Sequence, residues 1–185
     1  LSRATKALRT AVVNAFHGDM LPEEAPKEVT VITDADWAGH PVTRRSTDCV
    51  HIYHGGHLLE SSTAAQQLVA LSSGESEFYG VVRGSACGLQ VREVMLEIGA
   101  EYEVRVLTDS SAARGMVKRT GSGRVKHHEA RYLWVQEKVR SGEITLCKVL
   151  GTENPADILT THVPRDTEDQ PHWRCPLSPP HPAHD

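Results

Sequence analysis

The chain has 185 residues, 24 acidic and 20 basic side chains, and a formal net charge of −4. That length suits one domain with attached segments and is enough to bury a core without disulfide staples. No apolar run approaches the ~20 residues of a membrane-spanning helix, and the negative balance excludes nucleic-acid binding by bulk basicity, so any basic surface must be local.

Residues 1–13 have no apolar leader and no start methionine, and they read as the interior of a longer polypeptide. Ala4, Ala7, Leu8, Ala11, Val12, Ala15 and Phe16 recur at helical spacing and predict an amphipathic helix over 1–17. A turn-rich acidic linker follows, so residues 1–28 read as a helix and linker from a preceding module. Val29–Asp36 alternates as a strand, which puts Asp34 and Asp36 on one face. Asp48–His54 and His57–Ser62 read as two more strands, joined by a hairpin at Gly55-Gly56.

Ser72–Ile98 is a long helix. Ser72 or Ser73 can cap it, Glu75 and Glu77 suit its first turn, and Gly99 stops it. Its expected buried stripe is Phe78, Val82, Ala86 (or Ser85), Leu89 and Val94. Glu103–Thr108 is a strand running into Asp109, and residues 110–118 form a short helix. Gly121-Ser122-Gly123 is a flexible break before a helix over Lys126–Arg140, with Leu133, Trp134 and Val139 facing inward. Glu143–Val149 is a strand, and Pro155–His162 a helix with Asn154 as its cap. Residues 164–185 hold six of the chain's ten prolines and read as a disordered tail. Three consecutive strands followed by alternating helices and strands imply an α/β fold, a mixed sheet with helices packed on it.

Four acids fall at element ends that such a sheet brings together: Asp34, Glu77, Asp109 and Asp157. Converging carboxylates repel one another unless cations lie between them, and hard divalent ions accept oxygen ligands. Spacing alone does not select these four from 24 acids. Residues 118–140 carry seven Lys/Arg against two Glu, a local excess of basic charge in an acidic chain. Arg124, Lys126, His127 and Arg131 lie where a helix opens after a glycine-rich break, which suits phosphate; a solvated helix face is the plainer reading. Arg44 and Arg45 follow the first strand and suit phosphate or edge solubility. Ser110 can donate to phosphate. Trp37 and Trp134 read as packing residues before base-stacking ones. The histidines and the cysteines Cys49, Cys87, Cys147 and Cys175 lack zinc-site spacing and a disulfide pattern.

The words TDADWAG (33–39), TRRST (43–47), VALSSGESEFYG (69–80), TDSSAA (108–113), KHHEARYLWVQEKVRSGEI (126–144) and NPADILT (154–160) occur in this order. The series resembles the ribonuclease H domain of Copia-type retrotransposon Pol polyproteins, over residues 29–163. The resemblance implies a ribonuclease H-like fold, a five-stranded mixed sheet with three antiparallel strands then two parallel, flanked by helices. It implies cleavage of the RNA strand of RNA–DNA hybrids with two Mg²⁺ or Mn²⁺ ions, leaving 5′-phosphate and 3′-hydroxyl ends. Asp34 matches the first acid, with Asp36 as runner-up, and would bridge both ions. Glu77, with Glu75 as runner-up, and Asp109 would hold one ion, and Asp157 the other. Arg44, Arg45, Ser110, Arg124, Lys126, His127 and Arg131 would contact the hybrid. The resemblance further implies a reverse transcriptase module upstream in the same polyprotein, and a place in virus-like particles of the cytoplasm or in the nucleus, not secretion. The stretch LGTENPADIL lacks the histidine that many cellular ribonucleases H carry before the last acid. An inactive relic or nucleic-acid tether of the same fold is the alternative, and a resolvase or integrase a weaker third.

Overall fold

A computed structural model describes residues 27–97, 99–119 and 129–160. The helix expected over 1–17, the break at 121–123 and the tail from 164 lie outside the described residues. Five strands form one sheet: β1 (Glu28–Ala35), β2 (Thr47–His54), β3 (His57–Ala65), β4 (Glu103–Thr108) and β5 (Ile144–Lys148), in the order β3-β2-β1-β4-β5. The first three are antiparallel neighbours, and β4 and β5 join β1 in parallel. This is the predicted mixed sheet. The β2–β3 hairpin turns at Gly55-Gly56, and Gly55 takes the left-handed φ of 54° that such a turn requires. Among the described residues three α-helices accompany the sheet: α1 (Ser73–Glu97), α2 (Ser111–Lys118) and α3 (Glu129–Arg140).

The strand alternation divides the core in two. Val29 and Val31 of β1 face the helices, in one buried cluster with Phe78, Val81, Val106 and Val135. Ile32 faces the other way, into a cluster with Cys49, Tyr53, Leu107, Val149 and Ala156. The helix α1 lies unusually close to β1. A Cβ at Gly88 would sit 2.7 Å from Val31 Cγ2 and 2.9 Å from Val104 Cγ1, and one at Gly84 would collide with the Thr33 methyl. Of the expected stripe, Phe78 and Ser85 are buried and Val82 and Leu89 pack half-buried against the core, while the closest approach to the sheet is made by Gly80, Val81, Gly84 and Gly88, which the stripe did not include. Ala86 is exposed, and Ser85, the alternative at that turn, is buried. From the same helix Arg83 reaches the Asp48 carboxylate and donates to Ser62 Oγ at 2.8 Å, which ties α1 to β2 and β3.

Three further expectations are corrected. Trp37 is 54% exposed, because its indole N–H is held outward by the Ala70 carbonyl at 3.2 Å. Leu133 is 48% exposed, while Val135 and Gln136 take the buried positions of α3 beside the half-buried Trp134 and Val139. The helix expected over Pro155–His162 is a 3-10 helix over Pro155–Leu159. Asn154 and Thr160, at its two ends, are both hydrogen-bonded to Asp34 of β1.

Candidate active site

Parallel pairing of β1 with β4 sets Ile32 beside Leu107, so Asp34 and Asp109 leave the same edge of the sheet at its strand carboxyl ends. The glycine-rich packing of α1 on β1 brings the first turns of that helix, and with them Glu77, to the same edge. One carboxylate oxygen from each of Asp34, Glu77 and Asp109 lies within 4.8 Å of the others. Asp157 is exposed on the 3-10 helix, outside that close triad but near enough for its charge to raise the pKa of all three.

The electrostatics are those of crowded, desolvated acids. Burial, then the charges of Asp34 and Asp109, push Glu77 up to about 8. Burial raises Asp34 to about 6; the Thr160 hydrogen bond opposes this, and the charges of Asp109 and Asp157 add to it. Burial also raises Asp109, partly offset by hydrogen bonds from its own backbone and from Asn154. Glu77 Oε2 is buried without a hydrogen-bond partner. An all-oxygen donor set, mutual repulsion and an unsatisfied buried carboxylate oxygen together fit a hard divalent cation such as Mg²⁺ or Mn²⁺.

The two runner-up acids are committed elsewhere. The Asp36 carboxylate accepts from the Thr47 backbone N–H and closes the loop after β1. Glu75 is buried and accepts from Leu71 N and the Tyr79 hydroxyl, both at 2.8 Å. Two site residues escaped the sequence reading. Asn154 was legible as a helix cap, and its Oδ1 does accept from Ala156 N at 3.1 Å. Its amide nitrogen also lies 3.4 Å from Asp34 Oδ1. Thr160 donates its hydroxyl to the other oxygen of Asp34. No local pattern links positions so far apart in the chain.

The expected nucleic-acid contacts divide into several groups. Arg44 and Arg45 are exposed on the loop after β1, and Arg44 holds a strained φ of 55°. That loop is closed by Ala38 N donating to Ser46 Oγ at 3.0 Å, and by Val42 N and Thr43 N donating to His40 Nδ1 at 3.3 and 3.0 Å. Arg131 is exposed on α3, its guanidinium 6.0 Å from the centre of the Tyr79 ring. Ser110 is the N-cap of α2 and accepts from Ala113 N at 3.1 Å. Lys138, part of the same basic run, is engaged by Glu143 at 2.8 Å. Arg124, Lys126 and His127 lie outside the described residues.

No protein-family model matches the chain. The chain is 32% identical over 136 residues, 72% of its length, to the Retrovirus-related Pol polyprotein from transposon TNT 1-94 of Nicotiana tabacum. It is 26% identical over 163 residues, 86% of its length, to that from transposon RE2 of Arabidopsis thaliana. It spans only 10% and 11% of those two polyproteins. Among solved structures, LC11-RNase H1, isolated from compost by a metagenomic approach, superposes with a TM-score of 0.55 at 17% identity. That match covers 72% of this chain and 92% of the other, and shows the fold. Sequence kinship and fold together place the chain among the retrotransposon Pol polyproteins, as their ribonuclease H-like domain.

Proposed function

We propose that the chain is a metal-dependent endoribonuclease that hydrolyses the RNA strand of RNA–DNA hybrids, within a polyprotein that also carries a reverse transcriptase. The carrying observation is the convergence of Asp34, Glu77 and Asp109 from three separate elements, with Asp157 alongside. These residues would hold Mg²⁺ or Mn²⁺. Divalent ions at such a site acidify an attacking water and stabilise the departing 3′ oxygen. The protein's own part is to bring these carboxyl groups together, with Glu77 and Asp34 releasing their protons to solvent as a cation binds, and to hold the scissile phosphate in line. Arg44, Arg45 and Arg131 are exposed for contacts to the hybrid backbone, where cations supply affinity and register without reading sequence.

The direct test is cleavage of a labelled RNA strand in an RNA–DNA hybrid with Mg²⁺, with single- and double-stranded RNA as controls and Asp109→Asn beside the wild type. Hybrid-only cleavage that vanishes in the variant supports the reading. A folded protein that binds hybrid and leaves it intact indicates a tether or relic, and cleavage that survives Asp109→Asn removes Asp109 from the site.

A further inference from the structure

We infer that Asn154, with Thr160, is a positioning residue that fixes the Asp34 carboxylate for cation binding. The inference rests on the nuclease reading and adds to it the segment that makes the site rigid. Asn154 is 4% exposed. Its Oδ1 is committed to capping, since it accepts from Ala156 N. That fixes the orientation of the amide, so the nitrogen faces β1, at 3.4 Å from Asp34 Oδ1 and 3.4 Å from the Thr33 carbonyl. Thr160 Oγ1 donates to Asp34 Oδ2, and its backbone N–H donates to the Asp157 carbonyl at 3.2 Å. Each oxygen of Asp34 therefore accepts from one end of the same short segment, and that segment carries Asp157.

The arrangement answers a physical problem. Asp34 faces Glu77 and Asp109 across a few ångströms, and like charges at that range drive a carboxylate toward another rotamer. Two neutral donors hold it without neutralising it. The two carboxylate oxygens carry about four lone pairs, so the donors Asn154, Thr160 and the Ala35 backbone leave room for a cation. Asn154 thus does two jobs with two atoms: its oxygen caps the 3-10 helix, and its nitrogen anchors Asp34 with Asp109 also in its reach.

The two jobs separate by substitution in the full 185-residue chain. Asn154→Ser keeps a capping oxygen and loses the reach to Asp34, whereas Asn154→Ala loses both. Thr160→Val removes the second donor at nearly constant shape, and Thr160→Ser restores it. The measurements are Mn²⁺ affinity, read as free Mn²⁺ by electron paramagnetic resonance, and melting temperature without metal. Partners that orient metal ligands typically contribute ~10–100-fold in affinity. Asn154→Ser and Thr160→Val are expected to weaken Mn²⁺ binding about tenfold or more with little change in melting temperature, and Thr160→Ser to recover it. Unchanged Mn²⁺ affinity in Asn154→Ser, with a lowered melting temperature in Asn154→Ala, would reduce Asn154 to a cap and overturn the inference. Wild-type protein that binds Mn²⁺ but leaves hybrid uncut would sink the nuclease reading while leaving the Asn154 result standing. Wild-type protein that binds no Mn²⁺ would overturn both.

Discussion

The Arg131 guanidinium of α3 lies 6.0 Å from the centre of the Tyr79 ring of α1, and the Tyr79 hydroxyl donates at 2.8 Å to the buried Glu75 carboxylate. A cation that rests on a ring anchored from behind is held more firmly than one on a bare helix face. Arg131→Ala is expected to raise the KM for hybrid severalfold with kcat nearly unchanged, and to lower the salt slope of binding by about one. Tyr79→Phe keeps the ring but removes a donor to a buried carboxylate, at a cost of about 1 kcal/mol in thermal or urea unfolding. Equal salt slopes for wild type and Arg131→Ala would mean that Arg131 touches no phosphate.

The close approach of α1 to β1 predicts a steric penalty where helix propensity alone predicts a gain. Gly84→Ala and Gly88→Ala each add a methyl where none fits, and should destabilise by about 1–3 kcal/mol. Gly115, on α2, has no neighbour within 4 Å of an added Cβ. Gly115→Ala should stabilise by up to ~1 kcal/mol. Urea unfolding of the three variants side by side checks both signs.

The pKa shifts set a pH dependence for the metal-free protein. Asp34 and Glu77 keep their protons to about 6 and about 8, above their ordinary 3.8 and 4.5. Between those values the folded chain binds more protons than the unfolded chain, so stability falls as pH rises through the window. A loss of roughly 5 kcal/mol between pH 5 and pH 8 is expected in the presence of chelator, most of it from Glu77. Glu77→Gln should flatten most of that slope, and saturating Mg²⁺ should reverse it by binding the ionised form. Melting curves at four pH values, with chelator and with Mg²⁺, read it directly.

Trp37 presents a half-exposed ring on the chain that leaves β1, with its indole N–H already satisfied. Trp37→Ala should change stability by less than ~1 kcal/mol. If the ring stacks on substrate, hybrid affinity should fall by about 1–3 kcal/mol. Fluorescence titration of Trp37→Phe and Trp37→Ala with hybrid separates ring contact from no contact.

What the sequence revealed and what it concealed follow from how each contact is encoded. The strands and their pairing were legible because alternation and the Gly55-Gly56 joint are local signals. Asp34, Glu77 and Asp109 were legible through their flanking words, and the structure does bring those three together. The buried face of α1 was legible only in part: Phe78 and Ser85 lie where the periodicity puts them, but the closest contacts are made at Gly84 and Gly88, which offer no side chain for periodicity to weigh. Trp37 was misread for a related reason: an aromatic beside a strand usually packs inward, but one hydrogen bond to Ala70 holds this one at the surface. The tie from Asn154 to Asp34 joins opposite ends of the domain, and no short-range pattern encodes such a partner.

The central position of β1 has a consequence for how the chain reaches its fold. One side of β1 pairs with β2, which follows it closely, and Val29 meets His54 there. The other side pairs with β4, where Val29 meets Val104, after the whole of α1 has been made. During synthesis the meander β1–β3 can close while the opposite rim of β1 still lacks its partner. Non-local parallel pairing is slow, and an open apolar strand is a template for self-association. A ribosome paused between residues 65 and 103 would therefore expose the stickiest form of this chain, and a fragment truncated in that interval should aggregate where the full chain stays dispersed.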